Sequence, residues 1–301
     1  MKLIAPALLL ALVACGKDAA TSTDDAPPDA DQGGEQPGFT RLIGRTWDIP
    51  AGANIYKCAR VTVPQDMYIT AIDVQQPAGA HHTLLTIAGA NGTAGPDGEH
   101  DCGATNIGMY MLYAASVGTP ELALPTGVGV KVSAGQQLHL NLHLLNTTDE
   151  TQSGESVILV KTQPEPPAML AEMVLAGPLE LDIQPTNQPL SFSGDCTATE
   201  PYTLFAVWPH MHRFATHQKV ELVHGATTSV LHDKAFKFDE QGYYPVAPMA
   251  AVATGDRVRV TCTYVNGTTS TVTYGDGPDK EMCFAGLYRF PAVGSNEYCP
   301  N

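Results

Sequence analysis

Gln137-Leu138-His139-Leu140-Asn141-Leu142-His143-Leu144-Leu145 decides the fold class. Leucine alternates strictly with polar residues. Side chains of a strand point to opposite faces in turn, whereas a helix repeats every 3.6 residues. The pattern therefore predicts a strand with its leucines in a core and with His139, Asn141 and His143 sharing the other face. His139 and His143 lie roughly 13 Å apart on such a strand, so at most one of them belongs to any one ion. Spacing does not choose between them, and a solvated polar face is the alternative for all three.

The same reading extends in both directions. Residues 67–74 alternate β-branched and polar side chains, and 84–88, 127–132 and 156–161 also read as strands, separated by Gly, Asn and Pro clusters. Pro164-Glu165-Pro166-Pro167 is the one concentrated proline break of the ordered region, which places a boundary between domains 39–165 and 166–301. Beyond it, 203–207, 219–222, 228–232, 257–264, 269–274 and 283–288 follow the strand pattern. Short strands at regular spacing predict an all-β chain of two tandem antiparallel β-sandwiches.

Composition agrees. The 301 residues suffice for about two domains, and 28 Gly and 23 Pro favour short elements joined by turns. A net charge of −15 argues against nucleic acid and against electrostatic docking on anionic lipid. Part of the excess is local, since Asp18, Asp24, Asp25, Asp29, Asp31 and Glu35 lie in 16–38; the rest is spread thinly and reads as solubility. That segment is too polar to bury a core and reads as a disordered acidic tether.

Before the tether, Lys2 and the apolar run 3–14 lead to Cys15. The run is too short to span a bilayer and fits a signal peptide, 1–15. Leu12-Val13-Ala14-Cys15 resembles a bacterial lipobox, in which the cysteine becomes the lipidated first residue. An ordinary signal peptide with an incidental cysteine is the alternative. Gly16, where an Asp would mark inner-membrane retention, directs the lipid-anchored chain to the outer membrane. Export places the six remaining cysteines in an oxidising compartment, where an even number predicts three disulfides. Spacing leaves 15 pairings open, and the absence of a Cys-x-x-Cys pair argues against a zinc ribbon.

Three histidine constellations stand out. His210-Met211-His212 puts two imidazoles on one face of a strand, about 6.5–7 Å apart, where they can converge on an ion. His81-His82 are adjacent and need a bend or bulge to share an ion; Pro77, Gly79 and Ala80 just upstream can supply it. The third is the strand quoted at the outset. Met282, in Glu281-Met282-Cys283, offers a thioether; with two imidazoles it makes a soft set suited to copper. Methionine is otherwise core filler. His100, His217, His224 and His232 have no evident partners and read as surface histidines.

Together these residues resemble the copper type II, ascorbate-dependent monooxygenases, the family of peptidylglycine alpha-hydroxylating monooxygenase and dopamine beta-monooxygenase. The resemblance runs from about Cys58 to Cys299. It rests on His81-His82 before an apolar strand, Asn141-Leu142-His143, His210-x-His212, Glu281-Met282-Cys283 and the flanking cysteines. It implies jelly-roll-like sandwiches with one copper ion each. His81, His82 and His143 match the ligands of an electron-supplying copper, which selects His143 over His139. His210, His212 and Met282 match those of an oxygen-binding copper. It also implies the disulfides Cys58–Cys102, Cys262–Cys283 and Cys196–Cys299, and so a Cys283 that is no thiolate.

The implied reaction is hydroxylation of an sp³ C–H bond of an organic substrate by O₂, with ascorbate or a similar one-electron reductant. No general base or nucleophile is called for, and Asn141 reads as a surface residue, the alternative being that it positions solvent near the first copper. Two positions depart from the peptide-acting members. Trp208 stands where those carry Arg, and Gly286 where they carry Tyr, with Tyr288 two residues on. Trp208 and Tyr288 are candidates for an apolar substrate pocket, or else for sandwich core. The competing functions are a non-catalytic copper-binding or copper-transfer lipoprotein and a structural adhesion module with incidental histidines.

Overall fold

A computed structural model of the chain describes residues 36–88, 95–103, 109–116, 118–238, 241–275, 277, 279–294 and 298–299. The signal peptide, Cys15 and the tether up to residue 35 lie outside the described residues. Those described form strands and no helix.

The first sandwich comprises β1 (Thr40–Ile49), β2 (Asn54–Thr62), β3 (Met67–Gln75), β4 (Ala80–Ala88), β5 (Gly98–Asp101), β6 (Met109–Ser116), β7 (Leu122–Ala123), β8 (Val128–Val132), β9 (Gln137–Leu145) and β10 (Gln152–Gln163). After the proline break, β11 (Met169–Leu170) joins the first sandwich in parallel with β8. The second sandwich comprises β12 (Glu172–Ala176), β13 (Asp182–Ile183), β14 (Pro189–Thr197), β15 (Tyr202–His210), β16 (Ala215–His224), β17 (Thr227–Ala235), β18 (Tyr244–Val252), β19 (Arg257–Val265), β20 (Val272–Thr273) and β21 (Phe284–Phe290). One sheet of the first sandwich runs β1-β10-β3-β8-β11, with β7 on β3; the other runs β5-β2-β9-β4-β6. The second sandwich stacks β12-β21-β15-β18 on β14-β19-β16-β17, beside the small pair β13-β20.

The strand that decided the fold class lies at the centre of its sheet. Leu138, Leu140, Leu142 and Leu144 of β9 are fully buried, and each stabilises the fold by roughly 1.5–3 kcal/mol. Its polar face is not solvated: His139, Asn141 and His143 are 3, 1 and 7 % exposed. Asn141 is thus no surface residue, and its Nδ2 donates to the Gly103 carbonyl (3.0 Å).

The reason is that the first core does not stop at the proline break. It runs on through Met173, Leu175, Phe205, Trp208, Phe284 and Tyr288 of the β12-β21-β15 sheet. The other face of that sheet, with Leu204, Val207 and Leu287, packs into the second core. Tyr288 and Trp208 are therefore core residues, 3 and 2 % exposed. Gly286 makes room for Met173 and Trp208: a Cβ there would collide with Met173 Cε and lie 3.3 Å from Trp208. Three disulfides, Cys58–Cys102, Cys196–Cys299 and Cys262–Cys283, tie strands to their flanking segments. These are the pairs that the resemblance implied.

Candidate metal centres

The first centre is built by one sheet. His143 on β9 stands directly opposite His82 on β4. The register between β4 and β9 shifts between Ala80 and His82, just after Gly79 turns the chain at a φ of 98°. That irregularity lets two adjacent histidines face the same side. One ring nitrogen from each of His81, His82 and His143 lies within 4.8 Å of the others. Tyr56 stacks on His143 with centroids 4.5 Å apart and planes within 7°. His143 Nε2–H donates to Asn54 Oδ1 (2.6 Å). This fixes the tautomer, and leaves Nδ1 buried with no hydrogen-bond partner among the described residues. A buried lone pair without a partner is the signature of a missing ligand.

The second centre is built by chain ends. His210 closes β15 and His212 lies two residues past it. His210 Nδ1–H donates to Gln241 Oε1 (2.8 Å), and His212 Nδ1–H donates to the Lys280 carbonyl (2.9 Å). Each bond turns the Nε2 lone pair outward. The buried carboxylate of Glu281 accepts the backbone N–H of His212 (2.8 Å) and of Phe214 (2.7 Å). Burial pushes that carboxyl up to about 7, against backbone N–H groups that favour its charged form. Glu281 thus straps the His212 turn to the segment that carries Met282. Tyr264 Oη–H holds the same segment through the Met282 carbonyl (2.6 Å). Met282 itself is half-buried and packs against the first core.

The two centres face one another. The rings of His82 and His210 are perpendicular, with centroids 6.5 Å apart. Phe238 lies 4.3 Å from the His81 ring and 6.4 Å from that of His212. Trp208 stacks on the back of His210 at 4.8 Å. Burial, then the neighbouring imidazoles, hold His82 far below its ordinary value and His143 at about 4; burial and His212 hold His210 at about 3. At neutral pH all three rings are uncharged and free to donate lone pairs. Three imidazoles on one side and two on the other form a nitrogen-rich donor set. That set suits copper better than calcium or magnesium, which take oxygen ligands. Cys283 is tied to Cys262, so neither centre has a thiolate.

Residues 168–301 match the family described as copper type II ascorbate-dependent monooxygenase, C-terminal domain. The C-terminal part of the chain thus carries a domain of the copper type II ascorbate-dependent monooxygenase family, and the match does not extend to residues 1–167. The match contains His210, His212, Glu281, Met282 and four of the paired cysteines.

No curated protein matches the chain. Among solved structures, infectious bursal disease virus Gx strain is similar at 8% identity and a TM-score of 0.22, over 90% of this chain and 78% of that one. The Gt strain gives 7%, 0.23, 88% and 75%. Spike protein P1 from bacteriophage PM2 gives 11%, 0.17, 83% and 97%. Likenesses this weak bear on neither fold nor function.

The structure gathers His81, His82 and His143, leaves His139 out of that group, and sets the rings of His210 and His212 with centroids 5.5 Å apart. It also corrects two histidines read as surface residues. His100 lies against His139, and His232 is buried beside Tyr244. His217 and His224 do sit near the surface, paired with Asp233 and Asp256. Asn54, Tyr56, Phe238 and Gln241 were missed. Each meets its histidine across 26 or more residues of chain, a distance at which no local pattern signals it.

Proposed function

We propose that this monooxygenase-family chain binds two copper ions per molecule, one at His81, His82 and His143 and one at His210, His212 and Met282. We assign it the hydroxylation of an sp³ C–H bond of an organic substrate. The observation that carries the reading is the facing of two imidazole clusters, with the tautomers of His143, His210 and His212 set by hydrogen bonds to Asn54, Gln241 and Lys280. Copper, when bound, supplies one-electron chemistry and the activation of O₂.

The chain's own residues do the rest. Overall, one C–H bond, O₂, two electrons and two protons give an alcohol and water, and an ascorbate-like reductant supplies the electrons singly. Two unlike donor sets fit a division of labour. The all-imidazole set holds its ion rigidly for electron supply. The set with the weakly donating Met282 favours a reduced ion able to meet O₂. Phe238 and Trp208 keep the space between the clusters apolar, and Gln241 and Glu281 hold the second pair of imidazoles in place. The two sandwiches, 39–165 and 166–301, each carry one centre. The lipobox-like Cys15 anchors the exported chain to an outer membrane.

Copper-loaded chain, assayed for ascorbate-driven O₂ uptake across a substrate panel, tests the reading. Uptake that vanishes in both Met282→Ala and His143→Ala supports it. Two bound coppers with no reductant-driven turnover would make the chain a copper carrier instead. Labelling with radioactive palmitate, lost in Cys15→Ser, tests the anchor.

A further inference from the structure

The face of β9 that presents His143 carries a second histidine cluster at its other end. His100 on β5 pairs with Cys58 on β2, and Cys58 pairs in turn with Asn141 on β9. Two residues along β9, His139 lies opposite Arg60. The rings of His100 and His139 lean together over the intervening sulfur, with centroids 5.5 Å apart. One ligand atom from each of His100, His139 and Cys58 falls within 4.8 Å of the others. His139 is 3 % exposed and Cys58 is fully buried.

Apart from a weak contact of His100 with the Gly98 backbone, these imidazoles have no partner among the described residues. Nδ1 of His139 and both ring nitrogens of His100 are buried without a hydrogen-bond partner among the described residues. Leaving a buried polar atom unsatisfied costs about 1–3 kcal/mol, so three in one cluster call for a ligand. We infer that His100 and His139 form a third metal site, distinct from the two proposed above, which holds a monovalent copper ion between two imidazoles.

The surroundings select the ion. Cys58 is bonded to Cys102, so its sulfur is a neutral, weak donor. Zinc wants four strong ligands, and calcium and magnesium want six or more oxygens. The nearest acids do not help, because Glu99 and Asp101 alternate with His100 along β5 and face Arg45 (3.5 Å) and Lys57 (2.8 Å). Two cationic groups lie close by. Arg45 Nη1 donates to the His100 carbonyl (2.5 Å), and Arg60 stands on the strand beside His139. A divalent ion would meet twice the repulsion from them that a monovalent ion meets. Two neutral imidazoles and a low ionic charge leave the soft monovalent ion as the best match.

The test is an anaerobic titration of the full chain with cuprous ion buffered by bicinchoninate. His100→Gln, at the half-exposed rim of the cluster, and His139→Asn should each bind one equivalent fewer than the unaltered chain. That decrement is expected whatever number the other two centres take, so it stands or falls apart from them. Because His139→Asn could disturb the core, imidazole ¹⁵N spectra of the unaltered chain with silver ion give a second reading. The His100 and His139 resonances should shift on addition of one further equivalent. An unchanged count in His100→Gln, resonances that do not move, or displacement of the bound ion by equimolar zinc would each overturn the assignment.

Discussion

In the first sandwich, three imidazoles stand on two neighbouring strands of one sheet, and the ladder between β4 and β9 sets their spacing. In the second, two imidazoles and a thioether come from the end of β15 and from the segment before β21. Side-chain hydrogen bonds from Gln241 and Glu281 hold them there. A ladder moves only if the core moves, because every pair in it is backed by buried leucines. A strapped turn can shift when a single carboxylate or amide lets go. The first centre is therefore built to keep a fixed geometry, and the second to adjust as a ligand comes and goes. The division proposed between electron supply and oxygen binding matches that mechanical difference.

The largest effects follow from removing a ligand. His143→Ala and Met282→Ala should each bring reductant-driven O₂ uptake to background while leaving one copper bound, and metal analysis should show which. If Met282→Ala kept most of its turnover, the thioether would be packing alone, and the contrast between the donor sets would fail.

Acid should act on both halves alike. Burial first holds His143, His139 and His232 at about 4 and His210 at about 3, against an ordinary value of 6.5. The unfolded chain takes up these protons from about pH 6.5 downward, while the folded chain refuses them until about pH 4. The stability these histidines confer is thus complete above pH 6.5 and falls as the pH drops toward 4, by up to about 1.4 kcal/mol per group per pH unit, while Glu281, raised to about 7, opposes it over the same range. The urea midpoint of copper-free chain at pH 7, 6, 5 and 4.5 measures this. A flat profile would mean that these rings are hydrated in solution, and that neither centre is as buried as described.

Glu281→Gln should separate the halves. The amide keeps the shape but presents an N–H toward an N–H of the His212 turn, so one buried donor loses its acceptor. Copper affinity at the second centre should fall about 10- to 100-fold, the range for partners that orient a ligand. The first centre should be unaffected. Equal weakening of both would show that the strap supports the whole interface rather than one turn.

Much of this was legible before any coordinates. The alternation of 137–145 placed β9 residue for residue, because a two-faced strand in a sheet centre must keep its period. Gly79 and Ala80 announced the irregularity that turns His81 and His82 to one side. Other strands hid themselves. β1 carries Arg45 on its inward face, where the guanidinium bonds the carbonyls of Cys58 and His100, and so breaks its apolar alternation. β14 reads as turn, with a Pro, a Gly and two Ser among nine residues. The choice of His143 over His139 came from family resemblance. Both rings are buried on one face, and their difference lies in what β4 and β5 bring to each end. Asn141 and His232 were misjudged for the same reason, since burial of a polar residue is decided by elements far away in sequence.

The smallest effect marks how far the second centre's support extends. His217 on β16 sits five residues beyond His212, and its Nε2 meets Asp233 Oδ1 of β17 at 2.8 Å. Both side chains are more than a third exposed, so the pair gains little in a screened, high-dielectric setting. Such contacts are worth about 0–1 kcal/mol. His217→Gln should lower stability by no more than that, and should leave copper stoichiometry and turnover as they are. The turn that positions His212 is held from the Glu281 side by hydrogen bonds that do not involve the His217–Asp233 pair. A measurable loss of second-site copper in His217→Gln would show that this edge also sets the turn. The strap would then be one part of a wider frame, and the second centre would be closer in rigidity to the first.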